Sequence, residues 1–167
     1  VKANGSITSS LPPTSFLESD FVALFEPAGK VQGPKLRAAM RSLRLAQIQS
    51  TLEPNGFIAK INQSKTAVEA EEKKPDVASK LDDPRQPFDV QMLVNQIEHE
   101  CVYPEGFLQG GQRGQKDPMK WGDASGDFSH CLSLVARING VLTSPAFTCV
   151  FKAGAGQKLT TEIDKFV

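Results

Sequence analysis

The residue types that could carry chemistry crowd into the C-terminal part of the chain. His99-x-Cys101, His130-Cys131 and Cys149 contain every histidine and cysteine present. Zinc takes four nitrogen or sulfur ligands in a tetrahedron, and its structural sites recur with C-x2-C or H-x3-H spacing. Neither spacing occurs, so no metal ligand is assigned. A thiol nucleophile needs an accessible, electropositive setting and a base within reach. Cys101 with His99, or Cys131 with His130, supplies the types without that setting, so no catalytic residue is assigned. Three cysteines make an odd count, and a chain of 167 residues can form a core without staples. Three buried thiols are therefore expected, with one bridge plus a free thiol as the alternative. The same reasoning favours a reducing compartment over an oxidising one.

Gly110-Gly111-Gln112 resembles the tripeptide of peptide-chain release factors. There the glycines let the backbone approach closely, and the glutamine positions water at an ester. The resemblance covers three residues and would imply a hydrolase. The strongly basic surroundings of a ribosome-bound protein are missing. No P-loop, G-x-S-x-G or dinucleotide fingerprint occurs, and no cofactor is implied.

Arg37, Arg41 and Arg44 stand at i, i+4 and i+7, so a helix would place them on one face, with Lys35 at its start. Such a stripe is the usual solvated face opposite an apolar one. It could also meet phosphates, or an acidic surface such as residues 63–86. Arg113, Lys116 and Lys120 could assist a nucleic acid. Charge balance argues against that partner: nineteen Lys/Arg meet nineteen Asp/Glu. The basic excess is local. Residues 1–62 hold seven basic against four acidic residues, residues 63–100 five against nine, and residues 101–167 seven against six. Trp121, the only tryptophan, lies in a polar loop, where it either anchors the loop or meets a partner.

The elements that would position these residues follow from periodicity and punctuation. Residues 1–14 read as an extended arm. Ser15 and Glu18 match a capping box before Leu17, Phe21, Leu24 and Phe25, which predicts a short helix over 16–26 ended by Pro27. Pro34 opens a second helix over 35–52 with a stripe of Leu36, Met40, Leu43, Ile48 and Leu52. Residues 57–61 read as a short strand. Residues 63–86 carry many charges and only Val68, Val77 and Leu81 as larger apolars, which predicts a long mobile loop. Residues 88–101 fit both a helix and a strand, and their length favours the helix. Residues 104–127 hold six glycines and read as a long loop. Residues 128–153 are predicted as a β-hairpin turning at Asn139-Gly140, because a type I′ turn needs positive φ at both central positions. That register buries His130 beside Cys149 and turns Cys131 away. Leu159, Ile163 and Phe166 have the spacing of a terminal helix.

The expected fold is α+β: two or three amphipathic helices packed on an antiparallel sheet that contains the C-terminal hairpin. After the arm, residues 15–62, the loop 63–86 and residues 87–167 form one domain. No run is long and apolar enough to span a membrane. The chain opens at Val1 rather than Met, which reads as a fragment or a processed product. The expected function is a non-enzymatic structural or assembly subunit. It would work through contacts with other protein subunits or with itself, with Arg37, Arg41, Arg44 and Trp121 as candidate interaction residues. The alternatives are nucleic-acid contact through the arginine face, and hydrolysis by a Cys/His pair or the Gly-Gly-Gln loop.

Overall fold

A computed structural model of the chain describes residues 16–50, 55–108, 110 and 114–147. The predicted arm, the terminal helix and Cys149 lie outside them. The described residues are mostly helical, with one small antiparallel sheet of two strands. At that coarse level the α+β expectation holds.

Helix α1 spans Glu18–Phe25. Its cap sits two residues beyond the predicted one: the Asp20 carboxylate accepts from the Leu17 backbone N–H at 2.8 Å. Glu26 takes the left-handed conformation (φ 45°), returns its N–H to the Val22 carbonyl and ends the helix before Pro27. Helix α2 runs Gly29–Ile48, so it starts before Pro34 and carries that proline inside. The reason lies in tertiary contacts. The Gln32 amide oxygen accepts from the Ala28 N–H, capping the first turn. Its nitrogen donates to the His130 carbonyl and to Ser133 Oγ. One buried glutamine thus caps α2 and docks its first turn on the last helix.

The segment 57–61 forms no strand. The charged stretch expected as a mobile loop instead forms two short helices, α3 (Thr66–Glu72) and α4 (Pro75–Leu81). Its few apolar residues explain this: Val68, Val77 and Leu81 all bury against Leu45, Ala46 and Ile58. Each buried Val or Leu is worth roughly 1.5–3 kcal/mol, enough to order a seven-residue helix that would not form alone. The ambiguous 88–101 stretch resolves as a helix. A 3-10 turn at Val90–Met92, capped by Asp89, leads into α5 (Leu93–Glu100).

The largest correction concerns the C-terminal hairpin. Residues 127–143 are one helix, α6 (Asp127–Thr143), followed by a 3-10 turn at Pro145–Phe147. Cys131, Leu134, Ile138 and Leu142 recur at intervals of three, four and four residues and are all buried. The alternating reading enlisted His130, Leu132 and Ala136, all of which are exposed. It also turned Cys131 outward, whereas that thiol is fully buried. Asn139 and Gly140 face outward on the helix. An Asn-Gly pair turns a chain only where its flanks can pair, and here the preceding residues bury a helical stripe instead.

Two apolar clusters result. The larger joins α1, α2, α5 and α6 around Phe21, Phe25, Met40, Leu93, Ile97 and Leu134. The smaller lies where α3 and α4 cover the C-terminal half of α2. Between them runs a polar seam. Lys60 Nζ meets the Glu100 carboxylate at 2.6 and 2.7 Å and Ser42 Oγ at 3.1 Å. Their side chains are only 13% and 8% exposed. Glu100 also accepts from Ser42 Oγ and Gln96 Nε2, and the Gln96 amide pairs with both backbone groups of Ile58. The seam therefore fixes α5, α2 and the 57–61 segment in one register.

Candidate functional site

A lobe leaves the helices after α5 and returns just before α6. Strand β1 (Gly106–Phe107) pairs antiparallel with β2 (Lys116–Asp117). The pairing continues irregularly toward the helices. Gly106 N–H donates to the Lys120 carbonyl, Gly122 N–H to Tyr103, Tyr103 N–H to Asp123, and Ser125 N–H to Cys101. Val102 and Ala124 form a bridge at the stem. On the other side, the Asn62, Trp121 and Lys65 N–H groups tie the 62–65 segment to residues 119–122. Gly122 permits this threefold closeness: a Cβ there would come within 2.6 Å of the Glu105 carbonyl oxygen.

The lobe carries most of the large apolar side chains left exposed among the described residues. Tyr103 and Phe107 are each 56% exposed, Met119 53% and Leu108 42%. A concavity of about 300 Å³ opens between Tyr103, Pro104, Glu105, Phe107, Lys116 and Asp123. Its walls are two aromatic rings and a proline, and its rim is charged. Lys116 and Glu105 face each other across it at 3.4 Å. Asp123 accepts from the Asn62 side-chain amide and has no cationic partner among the described residues. The site therefore holds one acidic group beyond its own ion pair.

Trp121 occupies the inner side of the lobe. Its ring packs against the smaller apolar cluster, with Lys60 Nζ 5.3 Å from the ring centre. It fastens the lobe to the helices. The three arginines do share a groove wall on α2, but acidic partners from the same chain meet them. Glu18 bridges Arg37 and Arg44 at 3.5 and 3.2 Å, and Arg41 lies 3.6 Å from Glu72 and 3.4 Å from Asp82. Arg44 is 5% exposed, its guanidinium lies 5.9 Å from the centre of the Phe88 ring, and its Nε meets no acceptor among the described residues. Arg44 is thus a wall of the core rather than a member of a solvated stripe.

The histidines and cysteines separate. His99 Nδ1 accepts from the Lys60 backbone N–H at 3.1 Å, and its ring lies tilted against Phe57, the ring centres 5.0 Å apart. Burial holds its pKa below the ordinary 6.5, against the opposing pull of Glu98 and Glu100. His130 is exposed on α6. Burial pushes the Cys101 thiol up to about 12 and raises Cys131 as well, the opposite of the lowering that activates a nucleophile. Among the described residues no three His, Cys, Asp or Glu side chains group as metal ligands would. Gly111 and Gln112 lie outside the described residues. No helix of the described residues is long and apolar enough to cross a membrane.

Sequence reasoning missed Tyr103, Phe107 and Asp123. The signal present was an apolar pair, Phe107-Leu108, and a lone Met119 inside an otherwise polar, glycine-rich stretch. Comparison with protein-family models, with curated proteins and with solved structures returns no match.

Proposed function

We propose that this chain is a non-enzymatic interaction subunit that binds an extended segment of another protein at the lobe. The carrying observation is the concavity between Tyr103 and Phe107, set among exposed apolar side chains of the lobe. Exposed apolar surface gathered in one place and rimmed by charge is the usual mark of a protein contact, because water is released when a partner covers it. Aromatic walls suit a partner side chain that is bulky and apolar. The unmatched Asp123 carboxylate suits a Lys or Arg beside that anchor. The arginine groove supports a partner less well, since carboxylates of the same chain already neutralise it.

The test is selection of random peptides displayed against the purified protein. Enriched peptides are expected to carry an aromatic or large aliphatic residue next to Lys or Arg. Phe107→Ser is expected to abolish their binding while lowering thermal stability little, because more than half of the residue is already exposed. Asp123→Asn is expected to weaken binding about tenfold, the value of roughly 1.4 kcal/mol for one charge-assisted contact. No enrichment, or enrichment indifferent to Phe107→Ser, would overturn the reading.

A further inference from the structure

The base of the lobe holds a pair of groups that the binding reading does not use. Cys101, at the C-terminal end of α5, and Cys131, in the second turn of α6, are both fully buried in the larger cluster. The two thiols are neighbours in that cluster, near enough for each to act on the other's ionisation. The backbone brings them together by independent means. Lys35 Nζ donates to the Glu100 carbonyl at 2.7 Å and pairs with the Asp127 carboxylate at 3.1 Å. One ammonium thus clamps the residue before Cys101 to the residue one helical turn before Cys131. The Ser125 N–H then closes on the Cys101 carbonyl at 2.8 Å. Two buried neighbouring cysteines on backbone held in place by Lys35 and Ser125 are the setting in which a disulfide can form.

We propose that Cys101 and Cys131 form a disulfide site, oxidised by a low-molecular-weight disulfide while the chain folds, and that the bond closes the lobe into a covalent ring. The chemistry is two successive exchanges. One cysteine thiolate attacks the small disulfide, forms a mixed disulfide and releases one small thiolate. The second cysteine thiolate then attacks the mixed disulfide at the protein sulfur and releases the other. The two protons lost by the cysteines end on the two released thiols, and the small disulfide is the species reduced. Timing follows from burial. In the folded protein neither thiol is accessible and burial raises both pKa values, so the thiolate is scarce; during folding both are open to water. The ring would span the whole lobe, because residues 102–130 lie between the two sulfurs.

The test is refolding of the reduced, unfolded chain in mixed reduced and oxidised glutathione, followed by peptide mapping and thermal unfolding. The expected product is lighter by two hydrogen atoms, with Cys101 linked to Cys131. Its melting temperature should rise on the order of 10 °C over the reduced form, since a ring of about thirty residues restricts the unfolded chain. A phosphine reductant should reverse the gain. Cys149→Ser should give the same linkage and the same gain, and this variant removes the only competing thiol. No linkage, linkage through Cys149, or a Cys101–Cys131 bond that leaves the melting temperature level or lower would overturn the proposal.

Discussion

Replacing Lys60 with methionine removes one charge from the seam between the two apolar clusters and keeps an unbranched side chain one atom shorter. The Glu100 carboxylate would then remain 8% exposed, with Ser42 Oγ and Gln96 Nε2 as its remaining donors. Breaking a buried ion pair from one side typically costs about 3–5 kcal/mol, because the remaining charge is left uncompensated away from water. Lys60 is itself 13% exposed, so water can reach part of the gap and the lower half of that range is expected. The loss of the cation above the Trp121 ring adds about 0.5–1 kcal/mol. The assay is urea unfolding followed by far-ultraviolet circular dichroism, because Trp121 fluorescence would change at the mutated contact itself. The decisive companion is Lys60→Met combined with Glu100→Leu. It removes both charges, and the double variant should recover most of the loss, as replacing whole buried ion pairs by apolar residues commonly does. A cost below about 1 kcal/mol for Lys60→Met, the value of a surface pair, would refute the reasoning. So would a double variant as unstable as the sum of the two single ones.

Two further outcomes follow from individual residues. Gly140→Ala is expected to stabilise the protein by about 0.5–1 kcal/mol, since Gly140 lies in α6 with nothing within 4 Å of a new Cβ; urea unfolding that shows destabilisation would instead indicate a positive-φ turn. His99 gives the pH dependence its sign. Its folded pKa is held below 6.5, so the unfolded chain binds more protons once the pH falls past that value. Stability is therefore expected to drop on acidification from pH 7 through about 6.5 toward the folded pKa, and His99→Gln should flatten that slope. A wild-type stability that rises over the same window would reverse the assignment.

Local sequence reasoning succeeded where local energetics decide the structure. The stripe Leu36, Met40 and Leu43 lies buried in α2, and Phe21 and Phe25 are the buried face of α1. It failed where a distant contact decides. Gln32 starts α2 early through partners on α6, about a hundred residues away in the chain. Val68, Val77 and Leu81 are too few to predict a helix, but each lands on a prepared surface of α2 and the 58 position. Residues 128–140 contain both an alternating and a helical apolar pattern, and Asn139-Gly140 tipped the reading to the wrong one. The arginine spacing was legible, yet the acidic residues that meet it come from α1, from α3 and from the residue that follows α4. The lobe was legible as a loop. Its exposed rings were not, because sequence does not report which aromatic side chains remain uncovered.

Helix α2 supplies residues to both apolar clusters: Leu36, Ala39, Met40 and Leu43 to the larger, Leu45 and Ala46 to the smaller. This sharing governs how the chain must fold. Neither cluster can close before α2 exists, and its most extensive contact, with α5, joins segments about fifty residues apart. The entropy of closing that long loop must be met before the contacts that repay it form. Both α5 and α6 must close long loops onto α2, whereas α3 and α4 reach it over a much shorter stretch of chain. The same dependence binds the clusters into one cooperative unit, so local loosening of the smaller one is felt along the full length of the helix that walls the larger.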